Sequence, residues 1–445
     1  MKTFSIGGVH PHDNKSYSAH KAIVEVPLPK KAIIPLAQHI GAPAKPLVEK
    51  GDMVKAGQLI AEAGGFVSAN VHSPVSGKVM KIDNAIDAWG MPMPAIFIDV
   101  EGDIWEDGID TTPAFNAICK MESAEIIDKI KKAGIVGLGG ACFPTHVKLM
   151  PPPGKTAEIL IVNGVECEPY LTCDHQLMLE HGKEIIMGIQ ILMKALNVKK
   201  AVIGIEKNKP DAIAAMEQLA SHTLGVSVQP LNLKYPQGGE KQLIDACIGR
   251  QIPSGALPIE VGAVVDNVAT VYAVYQAVQK NMPLVSRVVT VTGKSVKKPG
   301  NYLVRFGTPL SELLDFAGGI PEDTGKIIGG GPMMGRAMSS VDMPCNKRVS
   351  GVLMMTKDEA RRSEPQNCLR CGKCIGACPM GLEPYLLAKQ AEHGLFDDME
   401  KHNIMDCIEC GCCTFTCPSF RPLLDYVRMG KAQVGANIRA RAQKK

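Results

Sequence analysis

The sequence predicts a multidomain protein of mixed α/β and α+β class, and three observations support that prediction. Residues 48–82 alternate short apolar runs with glycine-containing turns, which is the pattern of a small all-β module. Residues 123–220 alternate helical and strand patterns, which favours a mostly parallel α/β layer. Near the C-terminus, one cysteine spacing occurs twice. A chain of 445 residues is long enough for these regions to be separate domains.

The composition is that of an ordinary soluble globular protein, with 45% apolar and 21% charged residues. A formal net charge of +4 gives no reason to expect a nucleic-acid partner. No stretch reaches the ~18 consecutive apolar residues of a membrane helix, so we expect another subunit to provide any membrane anchor. The basic tail (residues 429–445) predicts a solvated, disordered end.

An N-terminal extension (1–30) precedes the all-β module, which is predicted at residues 31–105. The module resembles the barrel-sandwich of biotinyl and lipoyl carrier domains. Those carriers present a modified lysine at a central hairpin, but residues 64–74 (GGFVSANVHSP) contain no lysine. We therefore expect a structural or docking module without a swinging arm.

The middle of the chain predicts an α/β domain over residues 110–285. Its predicted elements are helices at 124–133, 177–196 and 210–220, with strands at 158–164 and 200–206. Residues 286–350 follow as a compact α+β module that resembles the β-grasp soluble-ligand-binding domain. A helical domain is predicted at 358–428, and residues 382–400, between the two cysteine motifs, are predicted to be helical.

Both cysteine motifs read C-x2-C-x2-C-x3-C-P, the spacing that holds a 4Fe–4S cluster through thiolates. In two-cluster ferredoxins the fourth cysteine of each motif ligates the other cluster. The sequence therefore predicts two ligand sets. One set is Cys368, Cys371, Cys374 and Cys417, and the other is Cys407, Cys410, Cys413 and Cys378.

Two other uses of these cysteines stay open. Zinc sites close at four ligands, which explains one or two pairs but not the third cysteine, the x3 step and the proline, all repeated. Disulfides are disfavoured because the chain has no secretory signal and because Cys412 and Cys413 are adjacent. Cys412 is the spare thiol, which we interpret as a filler beside a cluster.

A glycine-rich turn in the α/β domain, GIVGLGGACFPTHVK (134–148), predicts a phosphate cradle. Glycines let the backbone approach an anion closely, so that several amides point at it, and Lys148 adds a positive charge. Alone, such a turn is weak evidence, and it does not follow the dinucleotide-binding G-x-G-x-x-G rule. Three further segments accompany it: NGVECEP (163–169), GGEKQ (238–242) and DNVAT (266–270).

In this order, the four segments resemble the NADH- and FMN-binding subunit of respiratory complex I. The N-terminal FSIGGVHP (4–11), the lysine-free barrel-sandwich and the two-cluster domain narrow the match. The chain is thereby identified as a member of the family of C subunits of Rnf ion-translocating electron-transport complexes. The resemblance extends over nearly the whole chain.

The resemblance implies which residues contact the nucleotides, and none of them acts as a catalytic acid or base. Phe143 is expected to stack on the nicotinamide nucleotide, and Glu168 to hydrogen-bond to it. The other predicted cofactor contacts are Gly137, Gly139, Gly140, Lys148, Asn163, Glu166, Gly239, Glu240, Lys241 and Asn267. Cys142 and Val165 depart from the complex I pattern, which predicts weaker flavin binding and a pocket narrowed by Cys142.

The implied function is that of an NADH:ferredoxin-type oxidoreductase subunit of a translocase. A flavin converts between the two electrons of NAD(H) and the single electrons of iron–sulfur clusters. The implied cofactors are FMN and two 4Fe–4S clusters, with NAD(H) as substrate. The implied partners are an iron–sulfur subunit and membrane subunits that translocate Na⁺ or H⁺, with ferredoxin reached indirectly. The implied location is peripheral, on the cytoplasmic face of a bacterial inner membrane.

Two alternatives remain. The chain is an electron relay and docking scaffold that has lost nucleotide binding, or a ferredoxin-dependent reductase that acts alone. The histidines, among them His72, His146 and His175, show no ligand spacing, so we interpret them as surface or packing residues.

Overall fold

The structure is a computed structural model that describes residues 2–87 and 90–443. It contains a small all-β unit, an α/β unit, a β-grasp-like unit and a helical unit, in that order along the chain. This is the predicted fold class. The predicted domain boundaries stay a prediction. Among the described residues, no helix combines the length and the apolar character needed to cross a membrane.

The N-terminal all-β unit consists of two antiparallel sheets around a core of Ile34, Ile60, Val79 and Ile96. The sheet orders are β2-β8-β7-β4 and β3-β5-β6. The strands are β2 (Lys31–Pro35), β3 (Lys45–Pro46), β4 (Met53–Val54), β5 (Leu59–Glu62), β6 (Val71–His72), β7 (Ser76–Ile86) and β8 (Pro92–Gly102). They follow β1 (Ile23–Glu25), which belongs to another sheet.

The hairpin that carries a lysine in carrier domains packs here against the α/β unit. The amide of Ala69 donates to Nε2 of His39 at 3.2 Å, and the amide of Ile40 donates to the carbonyl of Cys142 at 3.3 Å. The Nδ2 of Asn70 donates to the carbonyl of Lys132 at 3.1 Å. The hairpin therefore supports the glycine-rich turn from one side.

The α/β unit has a four-stranded parallel sheet with the order β11-β10-β9-β12. The strands are rich in Val and Ile because helices cover both faces of a parallel sheet. They are β9 (Ile159–Asn163), β10 (Ala201–Glu206), β11 (Val226–Leu231) and β12 (Ala263–Asn267). The helices are α1 (Ser123–Lys132), α2 (Thr145–Lys148), α3 (Cys173–Glu180), α4 (Gly182–Leu196), α5 (Pro210–Ala220), α6 (Glu240–Ile248) and α7 (Val268–Lys280).

The single helix predicted over residues 177–196 is wrong, because the structure has two helices, α3 and α4, that meet at His181. His181 has φ −122° and ψ 31°, which lies outside the helical region. At Gly182, a Cβ atom would lie 2.6 Å from Cδ1 of Leu219 on α5. The glycine at this break lets α5 pack closely against the junction of α3 and α4. The apolar pattern of the sequence alone does not reveal the break.

The β-grasp-like unit has a six-stranded mixed sheet with the order β1-β14-β13-β17-β15-β16. Its other elements are β13 (Ser286–Thr292), β14 (Gly300–Arg305), α8 (Leu310–Phe316), β15 (Thr324–Gly329), β16 (Arg336–Ala337) and β17 (Gly351–Thr356). Strand β1 pairs in parallel with β14, Ile23 lying opposite Asn301. The N-terminal extension is thus part of this sheet.

The C-terminal unit is helical and contains both cysteine motifs. Its helices are α9 (Lys357–Ala360), α10 (Lys373–Ala377), α11 (Pro384–Glu392), α12 (Phe396–Lys401), α13 (Cys412–Phe415) and α14 (Leu423–Gln443). The prediction that residues 382–400 are helical is confirmed, as two helices, α11 and α12, separated around Gly394, which has φ +68°.

The prediction of a disordered tail is also wrong for residues 429–443, because α14 continues to Gln443. The helix is held by tertiary contacts that composition does not reveal. Val434 is buried, Met399 packs against the backbone at Gly430, and Arg441 forms an ion pair with Glu400 at 2.6 Å. Residues 444 and 445 lie outside the described residues.

Candidate functional site

The strand order of the α/β sheet creates a crevice between β9 and β12. The chain winds from β9 to β10 and β11 on one side, whereas β12 lies on the other. Open α/β sheets bind ligands at such a switch point, outside the carboxyl ends of the strands. Asn163 ends β9 and lies opposite Asn267, which ends β12 and caps α7. Two predicted cofactor residues therefore lie at the position that the topology favours.

The glycine-rich turn lies over this crevice as a closed loop. The amide of Gly137 donates to the carbonyl of Phe143 at 2.9 Å, which closes the loop at its base. A Cβ atom at Gly139 would lie 3.0 Å from Cβ of Asn267, so the turn and the end of β12 are in contact. Gly140 has φ +146°, and a Cβ atom there would meet nothing within 4 Å. The tip of the turn therefore faces open space.

A cation and two carboxylates lie beside the turn. The Nζ of Lys148 donates to the carbonyl of Val265 at 2.8 Å and lies 3.4 Å from Glu240 and 4.0 Å from Asp266. Both carboxylate oxygens of Asp266 are buried without a hydrogen-bond partner. Burial raises the pKa of Asp266 to about 6, and Lys148 opposes that rise.

These groups fit an FMN molecule. The amides of the turn at Gly139 and Gly140 and the charge of Lys148 suit its phosphate, and the unpartnered Asp266 suits the hydroxyl groups of its ribityl chain.

The two departures from the complex I pattern do not narrow this crevice. Cys142 has φ +52°, and its side chain is buried in the hydrophobic core with Ile135 and Leu149. Val165 is likewise fully buried, in the core with Leu243. The expectation that Cys142 narrows the pocket is therefore wrong, because its side chain packs in the hydrophobic core and not in the crevice.

Two of the residues predicted to contact the nucleotide already accept hydrogen bonds from other parts of the protein. The carboxylate of Glu166 accepts hydrogen bonds from the amides of Asp174 and His175 at the start of α3. The carboxylate of Glu168 accepts from the amides of Met333 and Met334, which belong to the β-grasp-like unit. Their roles as cofactor contacts stay predictions, and binding a nucleotide would compete with these bonds.

The other predicted contacts surround the turn and the start of α6. Gly239 is the residue before α6, and the Nδ2 of Asn163 donates to the carbonyl of Gly238 at 2.8 Å. Lys241 points instead towards the helical unit, where its Nζ lies 3.9 Å from Asp406. Phe143 is half-buried at the base of the turn.

A cleft of about 730 Å³ elsewhere, lined by His72, Met121, Lys129 and Asn281 among others, contains none of the predicted site residues. It lies between the all-β unit and helices α1 and α7.

The two cysteine motifs share one backbone geometry. Arg370 and Glu409 occupy the same motif position and have φ +55° and +56°. Two residues further along each motif lies a glycine, Gly372 in the first and Gly411 in the second, with φ +72° and +80°. Two left-handed residues in each loop curl it back on itself, so both loops can wrap a compact group.

The thiols of Cys378, Cys407, Cys410 and Cys413, called here the inner cysteine set, line one cavity. Burial raises the pKa of the Cys407 thiol to about 11 and that of Cys413 to about 12. These two thiols stay protonated unless a metal replaces the proton, whereas the hydrogen bond from the Cys412 thiol lowers the pKa of Cys410. The amides of Leu382 and Glu409 point at sulfur atoms of this set, both at 3.4 Å.

The remaining four thiols, Cys368, Cys371, Cys374 and Cys417, are called the outer cysteine set. Cys368 and Cys371 are exposed, and Cys374 and Cys417 are half-buried. Burial raises the pKa of Cys374, and the neighbouring Cys417 adds to the rise.

The inner and outer sets are the two ligand sets that the sequence predicts, each with three cysteines of one motif and the fourth of the other. The convergence of the inner set on one cavity supports this assignment, which stays a prediction.

The segment that follows β11 connects the crevice to the inner cysteine set. The hydroxyl of Tyr235 donates to the carbonyl of Cys410 at 2.9 Å, and the Nε2 of Gln242 donates to the carbonyl of Pro379 at 3.2 Å. Gly238 and Gly239 lie between these two contacts in sequence. One short segment therefore borders both the crevice and the inner set.

The N-terminal segment closes the same junction. The amide of Gly8 donates to the carbonyl of Ala377, and Val9 and Tyr235 exchange two backbone hydrogen bonds, all at 2.9 Å. A Cβ atom at Gly7 would lie 2.4 Å from the carbonyl oxygen of Cys378. Sequence reasoning missed Tyr235, Gln242 and these contacts. The paired glycines near the N-terminus were the available signal, because glycine allows such close backbone approach.

Comparison with known domain families assigns each unit of the chain. Residues 2–103 match the RnfC barrel sandwich hybrid domain, and residues 130–276 match the Nuo51 FMN-binding domain. Residues 288–337 match the SLBB domain, and residues 360–418 match a 4Fe-4S dicluster domain.

Curated relatives match over almost the full length. The C subunit of the proton-translocating ferredoxin:NAD(+) oxidoreductase complex of Clostridium ljungdahlii is 48% identical over 97% of this chain and 94% of its own length. The chain belongs to the family of C subunits of ion-translocating ferredoxin:NAD(+) oxidoreductase complexes. The C subunit of the Na(+)-translocating complex of Acetobacterium woodii is 44% identical over 97% of both chains. The predicted membership of the Rnf C-subunit family is thereby confirmed.

A more distant likeness concerns the fold alone. The NAD+-reducing NiFe hydrogenase, in its air-oxidized state, superposes with a TM-score of 0.51 at 20% identity. The match covers 73% of this chain and 65% of the hydrogenase chain, slightly less than two thirds of it.

Proposed function

We propose that this protein exchanges electrons with NAD(H) at the crevice between β9 and β12 and passes them to the inner cysteine set, then to the outer set, and then to a partner. FMN, held by Gly139, Gly140, Lys148 and Asn163, would supply the conversion between two-electron and one-electron transfer. The two cysteine sets would each hold one 4Fe–4S cluster.

The contact between the crevice and the inner set carries this proposal. Tyr235 and Gln242 join the segment that contains Gly238 and Gly239 to the backbone at Cys410 and Pro379. Gly7 and Gly8 pack on the other side, and Tyr235 and Gln242 are both buried. This packed junction joins the two sites directly, and it supports the inner set as the first acceptor.

The surroundings of the outer set support its role as the exit. Residues 361–373 are exposed throughout, and they include the outer-set thiols Cys368 and Cys371. Two large apolar side chains are also exposed, Leu369 in this segment (69%) and Phe420 just after the second motif (55%). The exposed cations Arg370 and Lys373 flank them. The apolar and basic character suits an acidic iron–sulfur subunit.

We place this protein peripherally, on the cytoplasmic face of a bacterial inner membrane, where reduced thiols and NADH are both present. Because its described helices include none that could span a membrane, the ion path would lie in partner subunits. The coupled ion would be Na⁺ or H⁺, as in the names of the two relatives.

An anaerobic titration tests the proposal. The chain is loaded with both clusters and FMN, and NADH is added while visible absorbance and EPR are followed. Flavin and clusters should be reduced at stoichiometric NADH. Gly140→Ala should weaken FMN binding at least about tenfold. Alanine is disfavoured at the positive φ of this residue, so the turn that would hold the phosphate should change its conformation. Clusters should still form in that variant and be reduced by dithionite.

Gly154→Ala is the matched control, because Gly154 also has a positive φ of +80° with nothing within 4 Å of its Cβ position. It should bind FMN like the unmodified chain. Reduction by dithionite but never by NADH would replace the proposal with an electron relay that binds no nucleotide. Normal FMN binding by Gly140→Ala would show that the cradle is elsewhere.

A further inference from the structure

Three metal-ligating side chains from distant parts of the chain converge on the surface of the α/β unit. His20 lies between the N-terminal segment and β1, His175 is in α3, and Asp211 is in the first turn of α5. The Nε2 of His175 lies 2.8 Å from Oδ1 of Asp211, and the Nδ1 of His20 lies 3.2 Å from Oδ2 of the same carboxylate. All three ligand atoms lie within 4.8 Å of one another. They can therefore surround one ion.

The two segments that carry the histidines are joined by contacts that do not involve the histidine side chains. The Oγ of Ser18 lies 2.8 Å from Oγ1 of Thr172, and the Nζ of Lys15 donates to the carbonyl of Glu168 at 3.0 Å. His20 follows Ser18 by two residues, and His175 follows Thr172 by three. The two imidazoles thus extend from segments that are already fixed to each other.

His20 provides a second observation. Its backbone has φ +59°, although its side chain is 71% exposed. A left-handed conformation is unfavourable for a non-glycine residue, so it persists where the surroundings compensate. Here the conformation directs the imidazole towards Asp211, where the rings of His20 and His175 meet edge to face at 5.5 Å.

The electrostatic state of two of the three groups suits a cation. Burial lowers the pKa of His175, so its ring is neutral at neutral pH. A bound ion would replace the hydrogen that links Nε2 of His175 to Asp211, and with the ring hydrogen on Nδ1 the Nε2 atom would supply its lone pair. Partial burial opposes ionisation of Asp211, but hydrogen bonds with His175 and the amide of Ala212 outweigh it and lower its pKa. The neighbouring cation Lys209 is engaged elsewhere, since its Nζ donates to the carbonyl of Val165 at 2.7 Å.

We propose that His20, His175 and Asp211 bind a divalent first-row transition metal ion, with Zn²⁺ as the best fit, and that this ion fastens the N-terminal segment to the α/β unit. Two imidazoles and one carboxylate are a common zinc ligand set, and the exposed side of the site leaves a fourth position for water. Imidazole ligands favour zinc and its late first-row neighbours over Mg²⁺ or Ca²⁺. The site is separate from both cysteine sets, so it does not depend on the proposed electron path.

Equilibrium dialysis of the cluster-loaded chain against buffered Zn²⁺ tests this proposal, with bound zinc and iron measured by mass spectrometry. The unmodified chain should bind one Zn²⁺ without losing iron. His20→Ala should bind it roughly tenfold more weakly or worse, because one of three ligands is lost. His222→Ala is the matched control, because His222 is also exposed in the α/β unit but is not part of the site. It should bind zinc like the unmodified chain.

Zinc X-ray absorption separates this site from binding to free thiols. The proposed site gives a nitrogen and oxygen shell at about 2.0–2.2 Å, whereas cysteine binding gives a sulfur shell at about 2.3 Å. A sulfur shell, or equal zinc affinity in the unmodified chain and His20→Ala, would mean that the three residues form only a hydrogen-bonded cluster. Asp211→Asn, which keeps the shape of the side chain, should also lose the nitrogen and oxygen shell.

Discussion

The two cysteine motifs have the same spacing and the same left-handed positions, but their surroundings differ. At Gly411, a Cβ atom would lie 2.8 Å from the carbonyl of Met333 in the β-grasp-like unit, whereas at Gly372 it would meet nothing within 4 Å. The loop of the second motif packs in one cluster with Val9, Tyr235 and Met333, whereas the loop of the first motif faces outward. In the proposed function, the enclosed loop serves exchange within the chain and the exposed loop serves exchange with a partner.

The charges at equivalent motif positions differ in the same way. Arg370 is exposed. Glu409 forms ion pairs with Arg428 at 3.1 Å and with Arg336 and Lys431 at 3.6 Å. The same loop position is thus used for internal attachment in one motif and is presented to solvent in the other.

The largest expected effect comes from removing one cysteine of each set. In Cys410→Ala, the rate at which NADH reduces the outer cluster should fall at least about a hundredfold. The reason is that the first acceptor of the proposed path is absent. In Cys371→Ala, NADH should still reduce the inner cluster, but transfer to an external acceptor should be lost. EPR after NADH and after dithionite separates the two variants.

This comparison has its own control, because dithionite should reduce the remaining cluster in either variant. Both variants should keep the α/β unit folded, since neither thiol lies in its core. Rapid reduction of the outer cluster by NADH in Cys410→Ala would contradict the proposed order of the two sets.

A smaller effect is expected where Gly7 packs against Cys378 of the inner set. Gly7→Ala places a methyl group 2.4 Å from the carbonyl oxygen of Cys378 at a residue with φ +67°. We expect a loss of about 1–3 kcal/mol in the free energy of unfolding and an altered EPR signal from the inner cluster only. Thermal unfolding and EPR of the dithionite-reduced chain measure these changes.

Gly51→Ala is the matched control, because Gly51 has φ +105° but open space around its Cβ position. It adds a similar backbone strain without the clash. Equal effects in the two variants, or a changed outer-cluster signal in Gly7→Ala, would argue against a specific contact with the inner set.

The smallest effect distinguishes the equivalent positions Arg370 and Glu409. Glu409→Gln should reduce stability by about 1 kcal/mol, because half-buried ion pairs with Arg428 and Lys431 are lost. Arg370→Gln should leave stability unchanged and should slow electron transfer to an acidic iron–sulfur acceptor several-fold at low salt. Chemical denaturation and acceptor reduction at two ionic strengths measure the two effects. A stability loss in Arg370→Gln would mean that this residue has an internal role as well.

Several features followed from sequence because short-range chemistry determines them. The spacing of the eight motif cysteines indicates the cluster type, and two of the four strands of the α/β unit, β9 and β10, were placed within one residue. The glycine-rich turn and its companion segments indicated the crevice, because a backbone that approaches a phosphate needs glycine. The family resemblance depended on these same segments.

Other features depended on contacts between segments that are far apart in the chain. The break at His181, the helical tail that packs on Met399, and the engagement of Glu168 by the amides of Met333 and Met334 all arise from tertiary packing. His175 has no ligand spacing in sequence, yet folding brings it to His20 and Asp211.

The sequence alone determined that this chain has two equivalent cysteine loops, a glycine-rich turn and four domain types, because these depend on residues close together in the chain. Only the tertiary structure decided which loop is enclosed and which is exposed. That difference depends on Val9, Tyr235 and Met333, which come from three separate segments and pack in one cluster with Cys410 and Cys412 of the second loop. The spacing of residues along the chain therefore determines the chemistry of each site. Packing between distant segments determines the position of each site in the proposed electron path.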